Sequence, residues 1–184
     1  MSQSLDLSRV SCLVVEDSTF IRSLVVACLN ALGVRQIKLA EHGGDAIEFL
    51  KLQKLDPMKA GGLSVDLIIS NWQMSPVDGM ILLRWVRRHA ESLIRFVPFG
   101  MLSGLSAGQK VADARDAGVT EFLAKPFSVA MLAQKLQTVI ERPRQFVHTS
   151  SYFGPDRRRR NDPFTGQDRR VLTDKSPGVE IVNG

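Results

Sequence analysis

The chain has 184 residues, 44% of them hydrophobic and 23% charged, which fits one globular domain of common size with some chain left over. No apolar run approaches the roughly 20 residues that span a bilayer, and the first residues lack the order of a signal peptide, so we expect a cytosolic protein. The net charge of +5 is uneven, because residues 1–141 hold 15 Lys/Arg against 14 Asp/Glu and residues 142–184 hold 9 against 5. The second part therefore supplies +4, which indicates an anionic partner there.

Five short apolar runs alternate with helical patterns along residues 1–141. The predicted strands are residues 10–15, 36–40, 66–70, 96–101 and 119–123. The predicted helices are residues 20–32, 44–54, 80–89, 107–117 and 129–139. Near-continuous apolar strands are typical of a sheet covered on both faces, and the alternation predicts parallel strands joined by crossover helices. The expected fold is therefore α/β, with a doubly wound five-stranded parallel sheet.

The two cysteines have the sequence context of core residues. Cys12 lies in the first apolar run, and Cys28 lies on the first predicted helix. That helix has an apolar stripe at helical spacing, formed by Phe20, Leu24, Cys28 and Leu32. Gly33 follows where a left-handed C-cap is expected. We therefore expect reduced, buried cysteines, and the three distant histidines form no metal-ligand spacing with them.

Polar residues stand at the carboxyl ends of four predicted strands. Glu16 and Asp17 follow the first strand, and Asn71 follows the third. Ser103 lies just past the fourth strand, and Lys125 lies just past the fifth. Because corresponding ends of parallel strands meet at one edge of the sheet, these side chains are expected to converge on one crevice.

Four segments around these residues, VVEDS, DLIISNWQMSPVDGM, MLSG and FLAKPF, resemble the signature segments of CheY-like receiver domains. The resemblance covers roughly residues 8–141 and implies the flavodoxin-like fold of that family. It implies that Glu16 and Asp17 match the acidic pair that binds Mg²⁺. It also implies that Ser103 matches the hydroxyl position and that Lys125 matches the lysine that contacts the phosphate.

The resemblance extends to residues beside the crevice. Pro126 matches the proline whose preceding peptide bond is usually cis, and Phe122 falls at the aromatic switch position. Trp72 and Met74 lie on the loop after the third predicted strand. They are candidates either for contact with a partner or for covering the crevice.

Asn71 departs from the family, because it stands where the phosphoryl-accepting aspartate is expected. An amide is neutral, is no useful nucleophile toward a phosphoryl donor, and removes one of three carboxylates around a metal. One interpretation is a pseudo-receiver in which Glu16, Asp17 and Lys125 form a polar cluster that no longer switches. Another is weak Mg²⁺ binding through Glu16, Asp17 and the carbonyl oxygen of Gln73. A third is that the asparagine is a substituted or deamidation-related form of the site.

Residues 142–184 differ in character from residues 8–141, which we assign to the receiver-like domain. They are rich in proline and glycine and have little apolar periodicity. Such a segment buries too little apolar surface to offset its ordering entropy. We therefore predict that residues 142–184 form a separate tail that is disordered until a ligand binds.

The tail contains a short repeat. YFGPDRR at 152–158 returns as FTGQDRR at 164–170, with an aromatic residue, a glycine, an aspartate and an arginine pair in register. An arginine fork matches the N7 and O6 acceptors of guanine, a carboxylate accepts from its N1–H and amino group, and its face stacks on guanidinium or aromatic planes. An aspartate beside each arginine pair would weaken the binding of a phosphate alone, because its charge cancels part of the attraction. The repeat therefore indicates a ligand with both guanine bases and phosphates.

With this tail, the whole chain resembles the Cle proteins, CheY-like proteins whose arginine-rich C-terminal extension binds cyclic di-GMP. The implied contacts to this ligand are Tyr152, Gly154, Asp156, Arg157, Arg158, Gly166, Asp168, Arg169 and Arg170. In this assignment the arginines contact guanine or phosphate, and the aspartates read the guanine edge. The glycines permit turns, and the tyrosine stacks on an outer base.

The same resemblance implies a function without enzymatic activity. A cyclic di-GMP-bound form docks on the flagellar motor switch, controls motility and surface attachment, and is recruited from the cytosol to the flagellated pole. The docking face in that family comprises the fourth main helix, the fifth strand and the last helix, with Phe122 on it. The alternative is a pseudo-receiver whose basic tail binds nucleic acid, with steep salt dependence and little base preference.

Overall fold

The central sheet has five parallel strands in the order β2-β1-β3-β4-β5. The structure is a computed structural model, and it describes residues 6–55, 64–104, 108–157 and 176–182. The strands are β1 Ser11–Val15, β2 Gln36–Ala40, β3 Leu67–Asn71, β4 Phe99–Ser103 and β5 Glu121–Ala124. Strand β1 is buried at every position, because helices cover both faces of the sheet. The predicted doubly wound parallel fold is confirmed.

Helices connect the strands, and three of them begin at a residue whose side chain caps the first turn. They are α1 Thr19–Ala31, α2 Gly43–Leu55, α3 Gly79–Arg88, α4 Ser92–Arg95, α5 Gly108–Asp116 and α6 Val129–Glu141. The side chains of Ser18, Asp78 and Ser128 accept a backbone N–H in the first turns of α1, α3 and α6. Gly33 has a φ of 96° and ends α1 in the left-handed region, as predicted. Within the described ranges, no helix combines the length and the apolar character that crossing a membrane requires.

Two apolar layers pack on the opposite faces of the sheet. Leu13 and Val15 point into the layer under α2 and α3, whereas Cys12 and Val14 point into the layer under α1 and α6. Both cysteines are buried and free, which confirms their expected place in the core. Because both faces of the sheet are covered by apolar layers, polar side chains meet at the ends of the strands.

Two local expectations differ from the structure. Phe20 is 76% exposed and Leu24 is 42% exposed, so half of the predicted α1 stripe faces away from the core. Each step of four residues turns about 40° past a full helical turn, so a stripe of such steps drifts around the helix. Strand β4 begins at Phe99 and not at residue 96, because Phe96 is the C-cap of the short helix α4.

The described part of the tail forms a second, antiparallel sheet in the order β7-β6-β8. Its strands are β6 Phe146–His148, β7 Phe153–Pro155 and β8 Glu180–Val182. The prediction of a tail without order in the absence of ligand does not hold for these residues. The physical reason is an aromatic cluster in which Phe146 and Phe153 lie 4.9 and 5.3 Å from the Phe96 ring, between centroids.

Arg87 of α3 joins the tail sheet to the parallel sheet. It is 3% exposed, and its guanidinium donates to the carbonyl oxygens of Gly118, Arg95 and Val97, each at 2.8 Å. Its carbon Cζ lies 5.2 Å from the centroid of the Phe146 ring. Burial lowers the pKa of Arg87 to about 9, so the side chain stays charged at neutral pH. The tail sheet thus packs beside the amino ends of β4 and β5.

Gly154 was expected to permit a turn, but it lies in β7 opposite Val147. A Cβ atom at this position would lie 2.7 Å from the Cα of Gly118 and 2.7 Å from the Tyr152 hydroxyl oxygen. The glycine is therefore required by close approach of two backbones, since its φ is not positive.

We predict that Gly154→Ala destabilises the protein by about 1–3 kcal/mol, because the backbone at Gly118 has to move to admit the methyl group. Urea denaturation followed by circular dichroism measures this loss. Gly104→Ala is the matched control, because a Cβ there meets nothing within 4 Å. Equal stability of the two variants would contradict the close packing of the tail on the body.

Candidate functional site

The carboxyl ends of the parallel strands bring the predicted polar residues to one edge of the sheet. Glu16 and Asp17 follow β1, and Asn71 is the last residue of β3. Ser103 ends β4 and is buried, and its carbonyl oxygen accepts from the backbone N–H of Lys125 at 2.7 Å. The geometry therefore places together all five residues that the sequence assigned to the crevice.

The amide of Asn71 is the centre of this site. Its Nδ2 donates to Glu16 Oε1 at 3.2 Å and to Asp17 Oδ1 at 3.2 Å, and the carbonyl oxygen of Gln73 lies 2.8 Å from the same nitrogen. Its Oδ1 accepts from Lys125 Nζ at 3.2 Å. The orientation is set by this network, because the nitrogen faces three acceptors and the oxygen faces an ammonium group.

Glu16 and Lys125 form a close ion pair beneath the amide. Lys125 Nζ donates to Glu16 Oε2 at 2.6 Å, and Glu16 is only 1% exposed. Burial raises the pKa of Glu16, and the hydrogen bond from Lys125 opposes that shift. For Asp17, burial also raises the pKa, but hydrogen bonds that its carboxylate accepts, from the Asn71 amide and from backbone N–H groups, outweigh burial and lower the pKa.

The donor set does not fit a resident Mg²⁺ in this arrangement. The oxygens of Glu16, Asp17 and Gln73 that were expected to ligate the ion all lie within 3.2 Å of the Asn71 amide nitrogen, which has two N–H groups to donate. Mg²⁺ requires oxygen ligands in octahedral geometry, and here the third side chain turns its N–H groups, and not its oxygen, toward Glu16 and Asp17. Across the described part of the chain, no group of three metal-ligating side chains is found. The arrangement favours the polar-cluster interpretation of the pocket.

Two aromatic residues lie near the strand ends that carry the pocket, Trp72 directly after β3 and Phe122 in β5. The Trp72 and Phe122 rings make an edge contact at 6.4 Å between centroids, and both pack on the apolar core. Met74 is buried in that core, which favours the covering role for this loop. The peptide bond between Lys125 and Pro126 is cis, as the resemblance implied.

The described half of the arginine repeat forms a stacked pair. Arg157 Cζ lies 4.4 Å from the centroid of the Tyr152 ring, and Arg157 Nη1 lies 3.3 Å from Asp116 Oδ1 on α5. The Tyr152 hydroxyl donates to the carbonyl oxygen of Pro155 at 2.8 Å, which holds the ring. The predicted contacts outside the described residues are Arg158, Gly166, Asp168, Arg169 and Arg170.

Asp156 is held at the end of β7 by its backbone. Its N–H donates to the carbonyl oxygen of Gln145 at 2.7 Å, and its own carbonyl oxygen accepts from Arg144. The guanidinium of Arg144 also donates to the carbonyl oxygen of Thr120 at 3.1 Å. The repeat therefore begins on a backbone that is tied to the parallel sheet.

The sequence did not assign a role to the groove that lies between α3 and α5, which we call the α3–α5 groove. It has a volume of about 560 Å³ and ends at Tyr152 of the tail. Arg84 and Arg88, four residues apart on one face of α3, line it together with Asp116 of α5. The spacing of the two arginines in the sequence indicates a basic face on α3. The groove itself could not be predicted, because its opposite wall comes from residues about 30 positions further along the chain.

Comparisons with known proteins identify the family of the part of the chain that forms the parallel sheet. The family model described as the response regulator receiver domain matches residues 12–137. The chain is 31% identical over 128 residues to the chemotaxis protein CheY1 of Helicobacter pylori, covering 70% of this chain and 94% of that protein. The structure is similar to that of Vibrio cholerae CheY4, with a TM-score of 0.59, 30% identity and coverage of 71% and 98%.

A further similar structure bears on the metal. The receiver domain of a sensor histidine kinase from Pseudomonas aeruginosa, solved with a magnesium ion coordinated in the active-site cleft, has a TM-score of 0.57 and 27% identity. The match covers 71% of this chain and 97% of that domain. The fold is therefore compatible with Mg²⁺, and the difference lies in the side chain at residue 71.

We predict that Asn71→Asp creates Mg²⁺ binding, because it replaces the N–H donor at the centre of the site with a third carboxylate. The measurement is the emission of Trp72 during a Mg²⁺ titration, with Trp85→Phe in both proteins so that one tryptophan reports. The unsubstituted Asn71 protein should show no saturable change at millimolar Mg²⁺. Equal saturable binding by both proteins would show that the amide does not exclude the ion.

We predict that Lys125→Met lowers stability at neutral pH by about 3 kcal/mol, because it leaves the buried Glu16 carboxylate without its cation. The pKa of Glu16 is raised in the folded state, so the folded form binds more protons than the unfolded form above the ordinary carboxyl range. The loss should therefore shrink as pH falls into that range. Urea denaturation of both proteins at several pH values measures this difference in the free energy of unfolding.

The matched control is the double variant Glu16→Gln with Lys125→Met, which carries no buried charge at this position. It should be more stable than Lys125→Met at neutral pH and should lack the extra dependence on pH. A loss in Lys125→Met that is the same at every pH would contradict the pairing as its cause.

Proposed function

Because the chain belongs to the response regulator receiver family, we propose that it is a signalling effector that uses nucleotide binding in place of phosphorylation. Receiver domains of the CheY type are signalling proteins and not enzymes. The proposed ligand is cyclic di-GMP, and the proposed site is the arginine repeat of the C-terminal segment. The nucleotide would control docking on a protein partner.

Because residue 71 is an asparagine, phosphorylation at this position is not the proposed input. Formation of an acyl phosphate needs a carboxylate nucleophile, and an amide supplies none. The amide also ties Glu16, Asp17 and Lys125 into one network, so the pocket is satisfied without a phosphoryl group. A different input is therefore needed for regulation.

The observation that carries the nucleotide proposal is the stacked pair of Arg157 and Tyr152. The guanidinium lies over the ring at 4.4 Å, and the Arg157 side chain remains 44% exposed. Such a pair offers a planar surface for a base, and the neighbouring Asp156 supplies a carboxylate for the donors of guanine. Cyclic di-GMP presents two guanines and two phosphates, which suits a repeat with two aspartates and two arginine pairs.

The proposed partner is the flagellar motor switch, and the proposed docking face comprises α5, β5 and α6. Helix α5 is the first large helix after β4 and corresponds to the fourth main helix of the family, since α4 is a single turn. The ion pair between Arg157 and Asp116 joins the tail to α5 at 3.3 Å. A ligand that engages Arg157 would therefore act directly on this face.

Calorimetric titration with cyclic di-GMP tests the proposal, with GMP and GTP as controls and two salt concentrations. We predict saturable, guanine-selective binding with modest salt dependence, and at least a tenfold loss in Arg157→Ala, about the value of one charge-assisted contact. Arg35→Ala removes an exposed arginine of the body and is the matched control.

Absence of heat with the unsubstituted protein would sink the proposal. Binding to single-stranded nucleic acid that has no base preference and weakens steeply with salt would support the basic-arm alternative instead.

A further inference from the structure

The α3–α5 groove begins beside the degenerate pocket and ends at the tail. Its lining includes Trp72, Arg84, Arg88, Asp113, Asp116 and Tyr152. Trp72 directly follows Asn71, and Tyr152 carries the stacked guanidinium of Arg157. A volume of about 560 Å³ lies within the range of roughly 300–1,000 Å³ that is typical of small-molecule sites.

One wall of the groove is basic. Arg84 and Arg88 are exposed, and they lie one helical turn apart on the same face of α3. Their guanidinium groups are suited to bidentate contacts with phosphate oxygens. The buried Arg87 between them is engaged by backbone carbonyl oxygens and leaves phosphate binding to the two exposed residues.

The opposite wall is acidic. Asp116 on α5 holds Arg157 at 3.3 Å at the mouth of the groove, and Asp113 lies one turn earlier on the same helix. A polyanion alone gains little from a groove with charges of both signs, because the carboxylates cancel the attraction of the arginines. A ligand with phosphates on one side and N–H donors on the other matches both walls.

An aromatic side chain stands at each end of the groove. The Tyr152 ring is held by its hydroxyl contact with the Pro155 carbonyl oxygen, and the Trp72 ring is held by its edge contact with Phe122. Fixed rings are suited to stacking on a nucleobase, because little side-chain entropy remains to be lost.

We propose that the α3–α5 groove is a binding site for a guanine nucleotide on the receiver domain. Arg84 and Arg88 bind its phosphates, Asp116 accepts from a guanine edge, and a base stacks against the Tyr152 and Arg157 pair. This inference rests on the proposed function and adds to it, because it moves half of the site from the tail to the folded domain. Binding also replaces the ion pair of Arg157 with Asp116, which couples the ligand to α5.

The experiment compares the affinity of cyclic di-GMP for the full chain, Arg84→Ala with Arg88→Ala, and Arg9→Ala with Arg35→Ala. Both double variants remove two exposed charges, and circular dichroism checks that each is folded. We expect a loss of at least about tenfold in the groove variant and a change within about twofold in the control. In a Trp85→Phe background, the emission of Trp72 should change with the same apparent affinity.

Unchanged affinity in the groove variant, or binding without a change in Trp72 emission, would overturn the groove as the seat of the nucleotide. In either case a loss of binding in Arg157→Ala would leave the proposed function standing. Failure of the unsubstituted chain to bind cyclic di-GMP would reject the proposed function itself and, with it, this inference.

Discussion

The buried guanidinium of Arg87 is the interaction on which the arrangement of the two sheets depends. It donates to the carbonyl oxygens of Arg95 and Val97 in the segment before β4 and of Gly118 before β5, and its Nη2 lies 3.3 Å from the Thr120 hydroxyl oxygen. A buried charge without hydrogen bonds is costly, so the segments that carry these oxygens are held around it. The ring of Phe146 then packs on the guanidinium, and the tail sheet is built outward from that contact. The tail strands are thus part of the folded body.

Two polar systems occupy opposite ends of the parallel sheet. At the carboxyl ends, the Asn71 amide donates to both carboxylates and Lys125 donates to Glu16. At the amino ends, Arg87 anchors the tail that carries Tyr152 and Arg157. In the first system the hydrogen-bonding groups are already paired, because each strong donor faces an acceptor. The second presents an exposed guanidinium to solvent, so a ligand has more to gain there.

The α3–α5 groove links these two ends along the side of the domain. Here the helices α3 and α5 themselves form the walls of the candidate ligand site, with Arg84 on one and Asp116 on the other. A nucleotide between them would contact α5 directly, without passing through residue 71. Direct contact of the ligand with both helices would then take the place of long-range coupling.

The sequence by itself determined the parallel sheet and the residues of the pocket, because both follow from local patterns. Apolar runs predict strands, and a polar residue that follows such a run must lie at the carboxyl end of its strand, where Glu16, Asn71 and Lys125 do meet. Only the tertiary structure decided the orientation of the Asn71 amide, the tail sheet, and the groove. Each of these depends on contacts between segments far apart in the chain: Asn71 with Glu16 and Lys125 for the amide, Phe96 with Phe146 and Gly118 with Gly154 for the tail sheet, and Asp116 with Arg157 for the groove. Periodicity does not report such contacts, because it describes which face of an element is buried and not which distant segment covers it.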